Sequence, residues 1–423
     1  MSLWSETRGY PQRTFFVCLI AYAFSQLDLA LFAYAVPSMR ADLGLSLQDM
    51  GVIVGASFAL GGVLQVWAGH LTDRFGRKTM MQISLAGASV LVAAHSLAMN
   101  AGTLIALRAG AIFTGGGLYP ATGAIVTEVA PPRYRGIMAG MLQTAYPMGW
   151  FLAAMFAAPF LTAFGWRALF LVALLSLPYV LVVRALLKES ERFGNVKAST
   201  QTRSFKESLS LLLAPDMRQR TVTLFIAQFL YVMAYGGSSI FFPTYFVESR
   251  GLEIGSSAFL VGIGNGVGII GYMLAAYVGE FVLTRRTTVV LWTLLGAACF
   301  LFLVWGTKSY TATIIAFAIM SIFFYGAAAV KFAYVAEIFP THLRATGLAV
   351  CTSLAVNIGT AISPLLISTT VQHIGWDMAY TLVAGVPLVC AGLFYLLLKP
   401  IPSGLDVDQV QSLLSENQNN AQK

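Results

Sequence analysis

GHLTDRFGRK, residues 69–78, puts four charges into ten positions of a 423-residue chain in which charged residues amount to 10%. On each side of it the sequence is apolar for about twenty residues, the length that carries a helix across a hydrocarbon core. A charged loop between two such runs belongs at a membrane surface. A related segment, GEFVLTRR at 279–286, follows another apolar run, with Gly279 standing 210 positions after Gly69. The pair EVAPPRYRG at 128–136 and EIFPTHLRATG at 337–347 repeats the relation at an offset of 209, Glu128 to Glu337 and Arg135 to Arg344. Two landmarks at nearly one offset indicate a duplicated six-helix unit.

The composition agrees. Hydrophobic residues make up 57% of the chain, and soluble domains carry about 25% charged residues. Spans at 14–38, 49–71, 80–98, 102–128, 136–163, 166–187, 220–247, 256–281, 287–306, 310–338, 345–371 and 375–398 predict an all-α polytopic membrane protein of twelve transmembrane helices, arranged as two six-helix bundles. The first run is too long for a signal-peptide core and has no small-residue cleavage ending, so it is expected to remain as a span. The bundles are expected at 1–187 and 220–398, with a cytoplasmic linker at 188–219 and a cytoplasmic tail at 399–423. Within the linker, Phe205 to Leu213 reads either as a short amphipathic helix on the inner leaflet or as plain solvated chain.

The net charge of +8 does not point to nucleic acid, because of where it sits. With the N-terminus inside, twenty of the 26 Lys and Arg fall on the cytoplasmic side, and only Arg40, Arg167, Arg250 and Lys308 fall outside. That is the positive-inside pattern. Arg108 and Lys331 stay within spans. The four cysteines lie in apolar runs without CxxC or a nearby His, which reads as buried thiols. No metal spacing, nucleotide loop or catalytic constellation is visible, so no cofactor, metal site or enzyme activity is expected. GIGNGVG at 262–268 follows no strand, and its glycines suit close helix packing.

At this point the chain resembles the major facilitator superfamily of secondary transporters. Residues 69–78 match its signature GxLxDRxGRK at every specified position. Arg108 with Gly116, Gly117 and Pro120 is similar to its fourth-span pattern, although Ile112 and Thr114 stand where glycines are common. Lys188-Glu189-Ser190-Glu191-Arg192 is similar to PESPR after span six, and 334–347 resembles the span-ten ending. Within the superfamily the chain looks most like the aromatic-acid, sialic-acid and other organic-acid proton symporters. Their DGxD in span one reads Ser25-Gln26-Leu27-Asp28 here, so only the second acid is present. The resemblance implies a central cavity opening alternately to each side.

A charge near the bilayer centre costs at least about 2.5–3.5 kcal/mol, so it should face a cavity or a partner. Asp28 lies at mid-depth of the first span, about 14 residues in at about 1.5 Å each. It reads either as a permanently paired carboxylate or as a proton carrier. Burial favours the protonated form of a carboxylate and a nearby cation the ionised form, so a cation that moves would load or release the proton. Arg108, about 8 Å from the level of Asp28, is the candidate cation; related sugar porters, by the resemblance, pair a span-one Asp with a span-four Arg. Lys331, about 9 Å deep, either snorkels to the surface or meets an anionic substrate. Further cavity candidates are Gln228, Tyr231 and Tyr235 on one face of span seven, Gln143 and Tyr146 with Trp150 on span five, Tyr119 on the Arg108 face, and the amides Asn265 and Asn357. Each amide reads equally as a helix-packing bond. Gly69, Asp73, Arg74, Gly76, Arg77, Glu128, Arg135, Glu337 and Arg344 are expected at the cytoplasmic face, where charge pairs and helix ends either latch the halves or set topology.

The expected function is therefore proton-coupled uptake of a small organic anion by a monomer, in a bacterial inner membrane, with both termini cytoplasmic. The expected partners are protons, the anionic substrate and the lipid bilayer, and no nucleic acid. Rival readings are proton-driven efflux of drugs or metabolites, sugar symport, and a sensor without flux. Gly140 and Gly149 fit the antiporter motif of span five, but Ala153-Ala154 replace its final Gly-Pro.

Overall fold

A computed structural model describes residues 7–131, 135–189, 205–339 and 343–400. The expectations for 190–204, for the tail beyond 400, for the surroundings of Gly69 and for the side chains of Asp73, Arg74, Arg135, Glu337 and Arg344 lie outside the described residues. Among those described, every regular element is helical. In lipid only helices and closed barrels satisfy all backbone polar groups internally.

The first half comprises α1 (Tyr10–Leu43), α2 (Leu47–Phe75), α3 (Arg77–Ala94), α4 (Ala101–Gly115) continued by α5 (Leu118–Val129), α6 (Arg135–Leu142) continued by α7 (Ala145–Ala163), and α8 (Gly165–Leu171) continued by α9 (Leu177–Leu186). A short helix, α10 (Phe205–Leu212), leads to the second half: α11 (Pro215–Glu248), α12 (Ile254–Phe281), α13 (Arg285–Gly306), α14 (Tyr310–Ile338), α15 (Arg344–Leu348), α16 (Ala355–Tyr380) and α17 (Val386–Leu396). Among the described residues, eleven segments are long and apolar enough to cross a membrane. The last of them, Thr346–Leu396, contains a reversal at Gly375, where φ is 75°, so it supplies two passes and the total is twelve. A side chain at that φ would be strained, and glycine adopts it freely.

The predicted duplication appears in the packing. Helix α1 lies on α7, α2 on α4, and α3 on α4. Six spans later α11 lies on α16, α12 on α14, and α13 on α14. The halves meet through α2 with α16, α7 with α12, and α1 with α11. These contacts need small residues, because lipid supplies no hydrophobic drive and close backbone approach must do the work. A Cβ on Gly55 would sit 2.6 Å from the Ala361 carbonyl oxygen, and one on Gly262 would sit 2.4 Å from the Ala154 side chain. GIGNGVG thus serves packing, as its place inside a span suggested.

Of the charged segment 69–78, expected as a loop, only Gly76 stands outside α2 and α3, and the turn there is capped from the end of span six. Gly76 has φ 93°, and Glu189 accepts the backbone N–H groups of Arg77 at 2.8 Å and Lys78 at 3.2 Å. A carboxylate here satisfies orphan donors at the start of α3 and meets the positive end of its dipole. Arg77 also pairs with Glu128 at the end of α5. Both ties lie inside the first half. Helices α3 and α5, with the end of span six, are neighbours within one bundle, which puts Glu128 and Glu189 within reach of this turn.

Candidate functional site

Among the described residues, three charged side chains are enclosed deep in the helices: Asp28 (3% exposed), Arg108 (4%) and Lys331 (5%). Each was singled out from the sequence, and each has company that the sequence did not reveal.

Asp28 is held by Ser89 of α3, whose hydroxyl donates to Oδ2 at 2.8 Å. Ser89 also contacts the Ser176 hydroxyl and the Leu85 carbonyl. The other carboxyl oxygen, Oδ1, is buried with no hydrogen-bond partner among the described residues. Arg108 does not reach Asp28. Its guanidinium carbon stands 3.8 Å above the Phe32 ring and 5.6 Å from that of Phe58. Phe32 is one helical turn along α1 from Asp28 and so on the same face of that helix, which puts Arg108 about one turn away in depth and not at the carboxylate. Arg108 Nε and Nη2 are also buried without a partner among the described residues. His95 completes this group, stacked on Phe170 at 5.0 Å and edge-on to Phe32 at 5.9 Å. An unpaired buried polar atom costs about 1–3 kcal/mol, and more when charged, so these atoms are poised to take a partner.

Lys331 does not snorkel. Its ammonium nitrogen lies 2.8 Å from the centroid of the Tyr231 ring on α11. The ring face carries negative quadrupole density and holds the cation in place of a carboxylate. Tyr231 is itself fixed by donating to the Phe324 carbonyl at 2.7 Å. Above it the rings form a column. Tyr235 stacks on Tyr231 at 5.9 Å and on Phe324 at 5.8 Å, with Tyr325 edge-on at 5.5 Å. Tyr146 of α7 meets Tyr235 at 5.6 Å and stacks on Trp150 at 6.0 Å. The column therefore crosses from one half to the other, a place where alternate packings of the halves act directly on a ligand.

The remaining candidates divide. Gln143 donates to the Tyr119 hydroxyl at 3.0 Å, and Tyr119 lies 5.5 Å from Tyr22, forming a polar rim on the first half. Gln228 faces α17, where Tyr395 donates to it at 2.9 Å. Asn265 bonds the Val261 carbonyl of its own helix at 2.9 Å, and Asn357 packs against Gly62. Sequence reasoning missed Ser89, Phe32 and Tyr325. A lone serine or aromatic in an apolar span carries no signal of its own.

Twelve helices in two interlocked repeats, enclosing charged and aromatic side chains between them, define a membrane transport protein. The whole-chain comparison gives the family. A model of the Major Facilitator Superfamily matches residues 18–327 and 274–416, and the chain belongs to that superfamily. It is a multi-pass integral membrane transporter and not an enzyme. It is similar to the cis,cis-muconate transport protein of Acinetobacter baylyi, with 26% identity over 91% of this chain and 94% of that one. It is also similar to the niacin transporter NiaP of the same organism, with 26% identity over 94% of this chain and 97% of that one. Among solved structures, a D-xylose-proton symporter shares the fold with a TM-score of 0.70 and 20% identity, over 93% of this chain and 99% of that one.

Proposed function

We propose that this transporter imports a small organic anion together with protons by alternating access, with both termini on the cytoplasmic side of a bacterial inner membrane and with the monomer as the working unit. One observation carries the reading of the substrate. Among the described residues, two cations, Arg108 and Lys331, are enclosed in the spans with a single carboxylate, Asp28, and neither cation is ion-paired. Enclosed excess positive charge is costly, and an anionic ligand offsets that cost. The ring column beside Lys331 suits a flat or unsaturated body, since aromatic faces gain from stacked contact. Relatives named for muconate and niacin transport carry substrates of that kind.

Asp28 is the proton site in this proposal. Protonated, it needs no counter-charge; ionised, it calls for a cation. Arg108 is one helical turn away and becomes its switch if α1 turns or slides against α4 during the cycle. The turn at Gly76 between α2 and α3, anchored through Arg77, steadies the cytoplasmic end of the first half. The twenty cytoplasmic Lys and Arg support the stated orientation.

Uptake into proteoliposomes tests the whole scheme. Radiolabelled aromatic and unsaturated carboxylates should accumulate when the lumen is alkaline relative to the bath, and should only equilibrate when both sides share one pH. Accumulation driven by a gradient of opposite sign would favour efflux by antiport, and preference for neutral sugars over carboxylates would remove the anion reading.

A further inference from the structure

The duplicated halves end differently at the face opposite loop 69–78. In the first half, Asp42 at the end of α1 accepts a hydrogen bond from Trp166 Nε1 at 3.1 Å and pairs with the adjacent Arg167. This staple joins two helix ends of the same bundle. The second half repeats it 210 residues later. Gly165-Trp166-Arg167 becomes Gly375-Trp376-Asp377, with both glycines at positive φ, 79° and 75°. Trp376 Nε1 donates to Glu248, at the end of α11, at 3.0 Å.

The two copies differ at the residue after the tryptophan. Where the first half has Arg167, the second has Asp377, which turns away to accept from the Tyr245 hydroxyl at 3.0 Å and lies 3.6 Å from Arg250. Glu248 takes its cation from the other half instead, pairing with Arg40 of α1. Arg40 is steadied by donation from Nε to the Leu45 carbonyl at 3.4 Å. One repeat closes its staple on itself, and the other closes it across the molecule.

We propose that the Arg40–Glu248 pair is a latch between the halves at this face, made only while the ends of α1 and α11 are together. Its loss favours conformers in which those ends part. The latch concerns the conformational equilibrium alone and stands whether or not the substrate and proton assignments hold.

Spin labels on Met99→Cys and Lys308→Cys, exposed on the loops after α3 and α13, report separation at this face without any substrate. The four native cysteines are replaced by alanine in the full chain, and distances are read by pulsed electron resonance in nanodiscs. Partly exposed ion pairs have modest worth, so Arg40→Gln and Glu248→Gln should each raise the long-distance population about two- to fivefold. The charge swap, Arg40→Glu with Glu248→Arg, should restore the parental distribution. Arg167→Gln, which breaks the copy internal to the first half, should leave it unchanged. An unchanged distribution in both single variants overturns the latch, as does an equal shift in Arg167→Gln, which would mark a general effect of surface charge.

Discussion

Arg108 in the first half and Lys331 in the second are enclosed to nearly the same degree and each lies over an aromatic face, yet what stands beyond the ring differs. Arg108 lies over Phe32, one turn from a carboxylate and beside His95. Lys331 rests on the face of Tyr231 at the foot of a ring column that spans both halves. The difference separates two tasks. A cation near a titratable acid can exchange charge with it as helices move. Both cations rest on ring faces, but Lys331 has no such acid a turn from its ring, and its charge stays available to a ligand that arrives with its own carboxylate.

The largest break in that comparison is Asp28→Asn, which should reduce gradient-driven accumulation to simple equilibration while leaving counterflow exchange in place. Accumulation that survives in this variant removes Asp28 as the coupling site. Lys331→Gln comes next. Loss of a charge-assisted bond is worth about 1.5–3 kcal/mol, so affinity for carboxylates should fall about tenfold to a hundredfold, with neutral analogues little affected. Isothermal titration with a carboxylate and its amide separates the two cases, and equal losses would take Lys331 out of the substrate site.

Tyr231 sharpens the contrast within the second half. Tyr231→Leu removes the ring beneath Lys331 and should weaken carboxylate binding by about 0.5–2 kcal/mol, whereas Tyr231→Phe keeps the ring and loses the bond to Phe324, for a smaller effect. If the two variants bind alike, the ring face is not what positions the lysine. The smallest expected change is at Ser89. Ser89→Ala leaves Asp28 with neither oxygen bonded, and should lower stability by about 0.5–1.5 kcal/mol with binding at Lys331 unaltered. A thermal-shift series run with and without ligand would expose any leakage of the effect into the second half.

Most of the fold was legible because the bilayer allows few solutions. Apolar runs and the repeated charged segments fix the number of the spans and their duplication before any tertiary contact is known. The charges of the site were legible for the same reason, since Asp28, Arg108 and Lys331 are too costly to stand in spans by accident. Their partners were not. Position along a helix gives an order of depths, but the group on which a long side chain settles depends on packing, and so Arg108 was aimed at Asp28 and found one turn along the same face, over Phe32. Asn265 shows the converse, a polar residue whose bond stays within its own helix. Arg40 and Glu248 were visible only as charges near the ends of spans, and nothing in sequence distance links residues 208 apart.

Trp150 is 3% exposed and stacked on Tyr146 within the column that joins the halves. The molecule therefore carries its own optical probe. A ligand that enters among these rings changes the polarity and stacking around the indole, and the emission of Trp150, isolated as the difference between the parent and Trp150→Phe, registers occupancy without a label. Motion of the halves separates Tyr146 from Tyr235 and alters the same signal, so the time course of this one fluorophore distinguishes arrival of the ligand from the turnover that follows.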